Sequence, residues 1–104
     1  MANYSNYEPR SYAVNPRYFG KVHQIKWKQV DDPVEQDRLL AAKIQHKYAL
    51  KIQDRRQELG LTLKALAGHE GAPSYRANLR ALSGEVCMRL DYIATADRVL
   101  GNIL

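Results

Sequence analysis

The sequence predicts an all-α fold: a compact helix-turn-helix bundle with a long first helix and an extended amino-terminal arm. Three observations predict it. Between Gly60 and Gly84 two apolar-periodic stretches lie too close together to be anything but helices joined by a tight turn. Leu63, Leu66 and Ala67 mark the first; Tyr75, Leu79 and Leu82, at i, i+4 and i+7, mark the second. Ahead of them, residues 34–59 contain neither Gly nor Pro and are dominated by helix formers. Residues 1–31 differ from both, being rich in Tyr, Asn and Pro with no periodicity up to about Phe19. The chain therefore divides into an extended or flexible basic arm, 1–31, and a helical domain, 32–104.

The arm carries four tyrosines, the only phenylalanine and the only tryptophan. From Val22 to Val30, Ile25 and Trp27 alternate with Lys26 and Lys28, the pattern of a short half-buried strand, yet no hairpin mate follows within the chain. Three uses stay open. Arg10 and Arg17, among small residues, suit an arm reaching into a minor groove. The aromatics suit anchoring of a partner protein. Equally, Tyr18, Phe19, Ile25 and Trp27 can cover one side of the helical core.

The long helix starts at Asp32–Pro33–Val34–Glu35. Asp32 can cap, Pro33 suits the first helical position, and Glu35 stands where a capping-box carboxylate reaches back. Running to Leu59, the helix would be roughly 40 Å long. Leu40, Ile44, Tyr48 and Ile52 form one i+4 row, expected to face apolar material, and Lys43, Lys47, Lys51 and Arg55 form a second row of four cations. Like charges at this spacing oppose the helix by a few tenths of a kcal/mol per pair. A phosphate backbone would relieve that repulsion; a solvated face screened by salt tolerates it.

Gly60 ends this helix, and Thr62 can cap the next. Gly71 falls past the second helix, where positive φ is tolerated, and Pro73 can open the third, 73–83. The order Arg56, Gly60, Leu61, Thr62, Leu66, Ala67, Gly71 resembles the opening of the Cro/C1-type (XRE-like) helix-turn-helix family. SYRANLRALSG, ending at Gly84, resembles its recognition helix. RLDYIATADRVLG, residues 89–101, resembles the helix that follows, with Leu90, Ile93, Ala94, Leu100 and Gly101 at matching positions. The resemblance spans about residues 52–103 and implies a lambda-repressor-like fold, DNA as partner and a dimer. Two departures stand out: Gly71 to Gly84 is about one residue longer than the family's spacing, and Ala65 and Gly68 replace the usual Gln or Glu.

Contacts are therefore assigned from helical geometry. With Tyr75, Leu79 and Leu82 facing the core, Arg76, Ala77, Arg80 and Ala81 point outward, and Ser74 and Asn78 lie at the margins. Arg76 and Arg80 can each fork onto guanine or clamp a phosphate, and Asn78 can pair with adenine. Small Ala77 permits close approach, while Ser74 and the free N–H groups of the helix start suit phosphate. The candidate DNA-binding set is Ser74, Tyr75, Arg76, Ala77, Asn78 and Arg80, with Thr62 and Lys64 before the turn, Lys51 and Arg55 on the long helix, and Arg89 after the recognition helix.

A last helix is expected from about Met88 to Leu100, with Leu90, Ile93, Ala94 and Leu100 inward, Asp97 and Arg98 outward, and Cys87 small and buried. The single cysteine excludes an internal disulfide and suits a reducing compartment. His23, His46 and His69 lack metal-ligand spacing, no Gly-rich loop carries a following Lys-Ser/Thr, and no nucleophile, base and orienting group assemble. No enzyme, metal or cofactor is expected. No stretch has the length of a membrane span and the start is not a secretory signal, so the expected setting is cytoplasmic and nucleoid-associated. A formal charge of +5 favours an acidic partner. These residues support a sequence-specific DNA-binding transcriptional regulator, a dimeric repressor on double-stranded DNA. The competing reading is an antitoxin or other protein-interaction module whose amino-terminal region binds a partner and whose DNA binding is autoregulatory.

Overall fold

A computed structural model describes residues 7–104. Four α-helices form the bundle: α1 (Pro33–Glu58), α2 (Leu63–Ala67), α3 (Tyr75–Leu82) and α4 (Leu90–Leu100). The sequence supplies three of their starts; α3 begins at Tyr75, after its cap Ser74 and not at the expected Pro73, and α4 begins at Leu90, not Met88, without a side-chain cap. Asp32 accepts from the N–H groups of Val34 and Glu35, Thr62 from Ala65, and Ser74 from Ala77, each cap satisfying donors that the first turn leaves over. α1 is continuous, and its 26 residues at about 1.5 Å each account for the molecule's longest dimension of 40 Å.

The main core lies where α1, α3 and α4 meet. Ile52, Leu82, Ile93, Leu100 and Ile103 are buried there, and Leu66 joins them from α2. The last residues fold back onto it. Ile103 is fully buried, and Asp97 accepts the backbone N–H groups of both Ile103 and Leu104.

The apolar row expected on α1 is inside only in its second half: Ile52 and Ala49 are buried and Tyr48 packs against the core. Leu40 and Ile44 are 59% and 49% exposed, whereas Ala42, Gln45, His46, Ala49, Leu50 and Ile52 are buried. Ala42 and Ala49 let neighbouring backbone come close, the Gln45 amide is paired on both its nitrogen and its oxygen, and His46 accepts the Gly20 N–H at Nδ1, so small and polar residues take interior places beside Leu50 and Ile52. α3 is rotated in the same sense. Asn78 and Ala81 are buried with Leu82, and Tyr75 and Leu79, expected inside, are about two-fifths exposed. On α4, Leu90 and Ala94 face solvent, and Tyr92, Ile93, Ala96 and Leu100 face the core.

Residues 7–31 dock along α1 instead of projecting from it. Two short 3₁₀ turns, Pro9–Tyr12 and Pro16–Tyr18, lead into an irregular segment whose sheet-like pairing is one antiparallel bridge, Ala13 to Trp27. The strand expected over Val22–Val30 is thus reduced to a single bridge. Tyr7, Tyr12 and Phe19 close a second core over Ala42, with Trp27, Val30 and Leu39 at its margin. Tyr18 remains half exposed. Met1, Ala2, Asn3, Tyr4, Ser5 and Asn6, the start of the expected arm, lie outside the described residues.

Candidate nucleic-acid interface

Placement of α3 depends on the seven-residue connection from Gly68 to Ser74, longer than the three or four residues of a tight helix–turn–helix. Gly71 takes φ +79° there, the left-handed conformation a bulky residue resists. Arg98 of α4 spans this connection and donates to the Glu70 carbonyl at 2.7 Å. On the other side, Arg56 braces the α1–α2 corner by donating to the Leu61 carbonyl at 2.8 Å and to Gln53. Arg56, prominent in the sequence motif, is a corner brace.

Asn78 anchors the inner side of α3. Its amide donates to the carbonyls of Pro73 (2.9 Å) and Ser74 (3.0 Å), and its oxygen accepts from the Tyr92 hydroxyl. Burial pushes the Tyr92 hydroxyl far above the ordinary phenol range, so it stays a donor. At 1% exposure and with these partners, Asn78 is unavailable to an adenine edge, which corrects the sequence expectation. Ala81, also expected outward, is buried for the same reason: the Asn78 row faces α4.

What α3 presents outward is Tyr75, Arg76, Ala77, Leu79 and Arg80. Arg76 is exposed and holds no ion pair among the described residues. Arg80 lies 3.5 Å from Glu85 with both side chains open to solvent, a weak pair that an anion can displace. From α2, the Lys64 ammonium sits 5.8 Å from the centre of the Tyr75 ring, bringing a third cation to the start of α3. Thr62 and Ser74 spend their hydroxyl acceptor capacity on helix caps. Thr62, Lys64, Ser74, Tyr75, Arg76, Ala77 and Arg80 are all exposed on or beside the two short helices.

The other candidates are engaged elsewhere. Lys51 donates to the Ile103 carbonyl at 3.3 Å, and Arg55 donates to the Leu100 carbonyl at 2.9 Å while pairing with Glu58. These two cations sit against the carboxyl-terminal end of α4, where positive charge complements the helix dipole. Arg89 pairs with Asp91 at 3.0 Å and holds that carboxyl below the ordinary carboxylate range. Lys43 and Lys47, the rest of the basic row, are exposed.

Sequence reasoning passed over the residue that holds the end of α3. Gln45 of α1 donates to the carbonyls of Ala81 and Val86, both at 2.9 Å, and accepts the Met88 N–H at 2.8 Å. All of its hydrogen-bonding goes to the chain leaving the helix. The available signal was its place on the i+3/i+4 row of Ala42, Ala49 and Ile52.

Cys87 lies within this clamp, between Val86 and Met88. It is exposed, not buried, and lines a cleft of about 290 Å³ with Ala77, Ala81, Val86, Tyr92 and Thr95. No group of three or more His, Cys, Asp or Glu placed to hold a metal occurs among the described residues. None of the described helices is long and apolar enough to cross a membrane. Comparison with protein-family models, characterised proteins and solved structures finds no match to this chain.

Proposed function

We propose that this chain is a sequence-specific DNA-binding transcriptional regulator, a dimeric cytoplasmic repressor that lays α3 in the major groove. One observation carries the reading: Arg76 and Arg80 stand one turn apart on the outer side of a capped helix, with small Ala77 beside them. Two guanidinium forks at that spacing match guanine edges or flanking phosphates, and the missing bulk at Ala77 permits close approach. Lys64 adds phosphate-binding charge near the helix start. No catalytic role is assigned.

The test is binding to promoter fragments at several salt concentrations. Specific binding should weaken linearly in log affinity against log salt, and Arg76→Ala and Arg80→Ala should each cost about 1–3 kcal/mol. Equal affinity for all sequences at every salt concentration would reject the proposal.

Tyr75 and Leu79, about two-fifths exposed beside the arginines, favour the competing reading of a protein-interaction module. A face mixing Tyr, Leu and Arg suits a protein hot spot. With Tyr7, Tyr12 and Phe19 buried against α1, that surface belongs to α3 more than to the amino-terminal segment. Leu79→Ala should then release a bound protein while leaving operator affinity nearly unchanged.

A further inference from the structure

The solvent side of α1 carries a band that the DNA reading leaves unused. Opposite the buried row lie Leu40 (59% exposed) and Ile44 (49%), with exposed Ala41 and half-buried Tyr48 alongside. Their spacing, with Asp37, Lys47 and Lys51 between, runs 37, 40, 41, 44, 47, 48, 51. These positions share one side of the helix at the spacing along which helices pack, with Leu40, Ala41, Ile44 and Tyr48 apolar between the charged residues. The Lys51–Ile103 bond brings the carboxyl-terminal tail beside the end of the band, where Leu104 is 74% exposed.

Charge along the band identifies the occupant. Its amino-terminal end is acidic, with exposed Asp37 and, before the helix, Asp31 and Asp32; its carboxyl-terminal end holds exposed Lys47 and Lys51. Side by side in the same direction, two copies would set Asp37 on Asp37 and lysine on lysine. Turned end for end about a two-fold axis midway between Leu40 and Ile44, each copy sets Leu40 on the other's Ile44. Asp37 and Lys47 lie equally far from that midpoint, so each carboxylate meets the other copy's ammonium. A patch that is complementary to itself only after a two-fold rotation has the symmetry of a homodimer interface.

From these positions we propose that α1 is the dimerisation helix, pairing antiparallel with α1 of a second copy through Leu40 and Ile44 and the reciprocal Asp37–Lys47 contacts. This gives the dimeric part of the DNA-binding reading a physical interface, and it can fail by itself, because the test contains no nucleic acid. Helix pairing over residues 34–51 covers less than the about 800 Å² per partner of a standard interface, so the dimer should dissociate in the micromolar range.

Sedimentation equilibrium of the full chain at about 1 to 300 µM brackets that range. The expected result is a reversible monomer–dimer transition. Ile44→Glu should weaken it at least tenfold with the far-UV circular dichroism unchanged, the side chain being exposed. Asp37→Lys should weaken it about tenfold, and the exchanged pair Asp37→Lys/Lys47→Asp should restore it. A chain that is monomeric throughout, or a dimer indifferent to Ile44→Glu, would overturn the proposal. A weakened Asp37→Lys dimer that the exchange fails to restore would overturn the antiparallel register.

Discussion

Two buried amides set the position of α3, and each does so by pairing with backbone groups at one of its ends. Asn78 pairs the start of the helix with Tyr92 of α4. Gln45 pairs its far end, and the chain after it, with α1. An unpaired buried donor or acceptor costs about 1–3 kcal/mol, so the Val86 carbonyl and the Met88 N–H held by Gln45 represent a large share of a small domain's stability. Gln45→Ala should lower the unfolding free energy by about 2–4 kcal/mol, read from urea denaturation at neutral pH. The accompanying loss should appear in the chain after α3, as faster amide exchange at Met88. Gln45→Leu separates packing from hydrogen bonding: filling the same space without restoring the bonds should recover little. Full stability in Gln45→Leu would show that volume, not pairing, is what the site needs.

At the scale of elements, the amino-terminal segment and α3 meet backbone to backbone. The Arg10 N–H donates to the Gly84 carbonyl at 3.0 Å, and the Phe19 ring lies against Gly84. Gly20, at φ +72°, approaches so closely that a Cβ there would lie 2.0 Å from the Leu82 carbonyl oxygen. Gly20→Ala cannot be accommodated without shifting this backbone, and should cost at least about 2 kcal/mol. Trp27, partly buried beside Phe19 and His46, should report the displacement as a red-shifted emission. Unchanged emission and stability would mean that the segment and α3 are not in register at Gly20. Helix starts were legible in the sequence because a cap is a local event: Asp32–Pro33 and Thr62 declare themselves by residue type and offset. Helix faces were legible only in part. Leu40 and Ile44 are as apolar as Leu50 and Ile52, and what separates them is which side has a close neighbour. That is decided by small Ala42 and Ala49 and by the partners of Gln45 and His46, which are distant in sequence. The same holds for the candidate site. The exposure of Arg76 and Arg80 followed from periodicity, but Asn78 went inward because Tyr92, fourteen residues on, meets its oxygen.

For the molecule as a whole, one buried titratable group of α1, His46, holds the amino-terminal segment in place, and this gives its stability a defined pH dependence. His46 is 5% exposed, enclosed by Phe19 and Trp27, and its Nδ1 accepts the Gly20 N–H at 2.9 Å. Accepting that bond requires Nδ1 to be unprotonated, so the folded chain holds the neutral imidazole. Adding the second proton would charge a buried ring and set N–H against N–H at the contact that docks the amino-terminal segment. Burial is accordingly the largest influence and lowers the His46 pKa below its ordinary value, with the nearby His23 lowering it slightly and backbone hydrogen bonds opposing the shift. The sign follows by linkage. Between the depressed folded pKa and the unfolded value of about 6.5, the unfolded chain binds a proton that the folded chain refuses, so acid favours unfolding. The His46 contribution is fully present above about pH 6.5 and is lost as pH falls from there toward the folded pKa, with a limiting slope of about 1.4 kcal/mol per pH unit. Urea unfolding measured from pH 7.5 downward should trace that decline, and the amino-terminal core should loosen first, since the Gly20 bond is the one that protonation breaks. His46→Gln keeps an acceptor near Gly20 and removes the titration; its stability, lower at neutral pH, should flatten across the same window. A slope that survives in His46→Gln would place the responsible proton on another group.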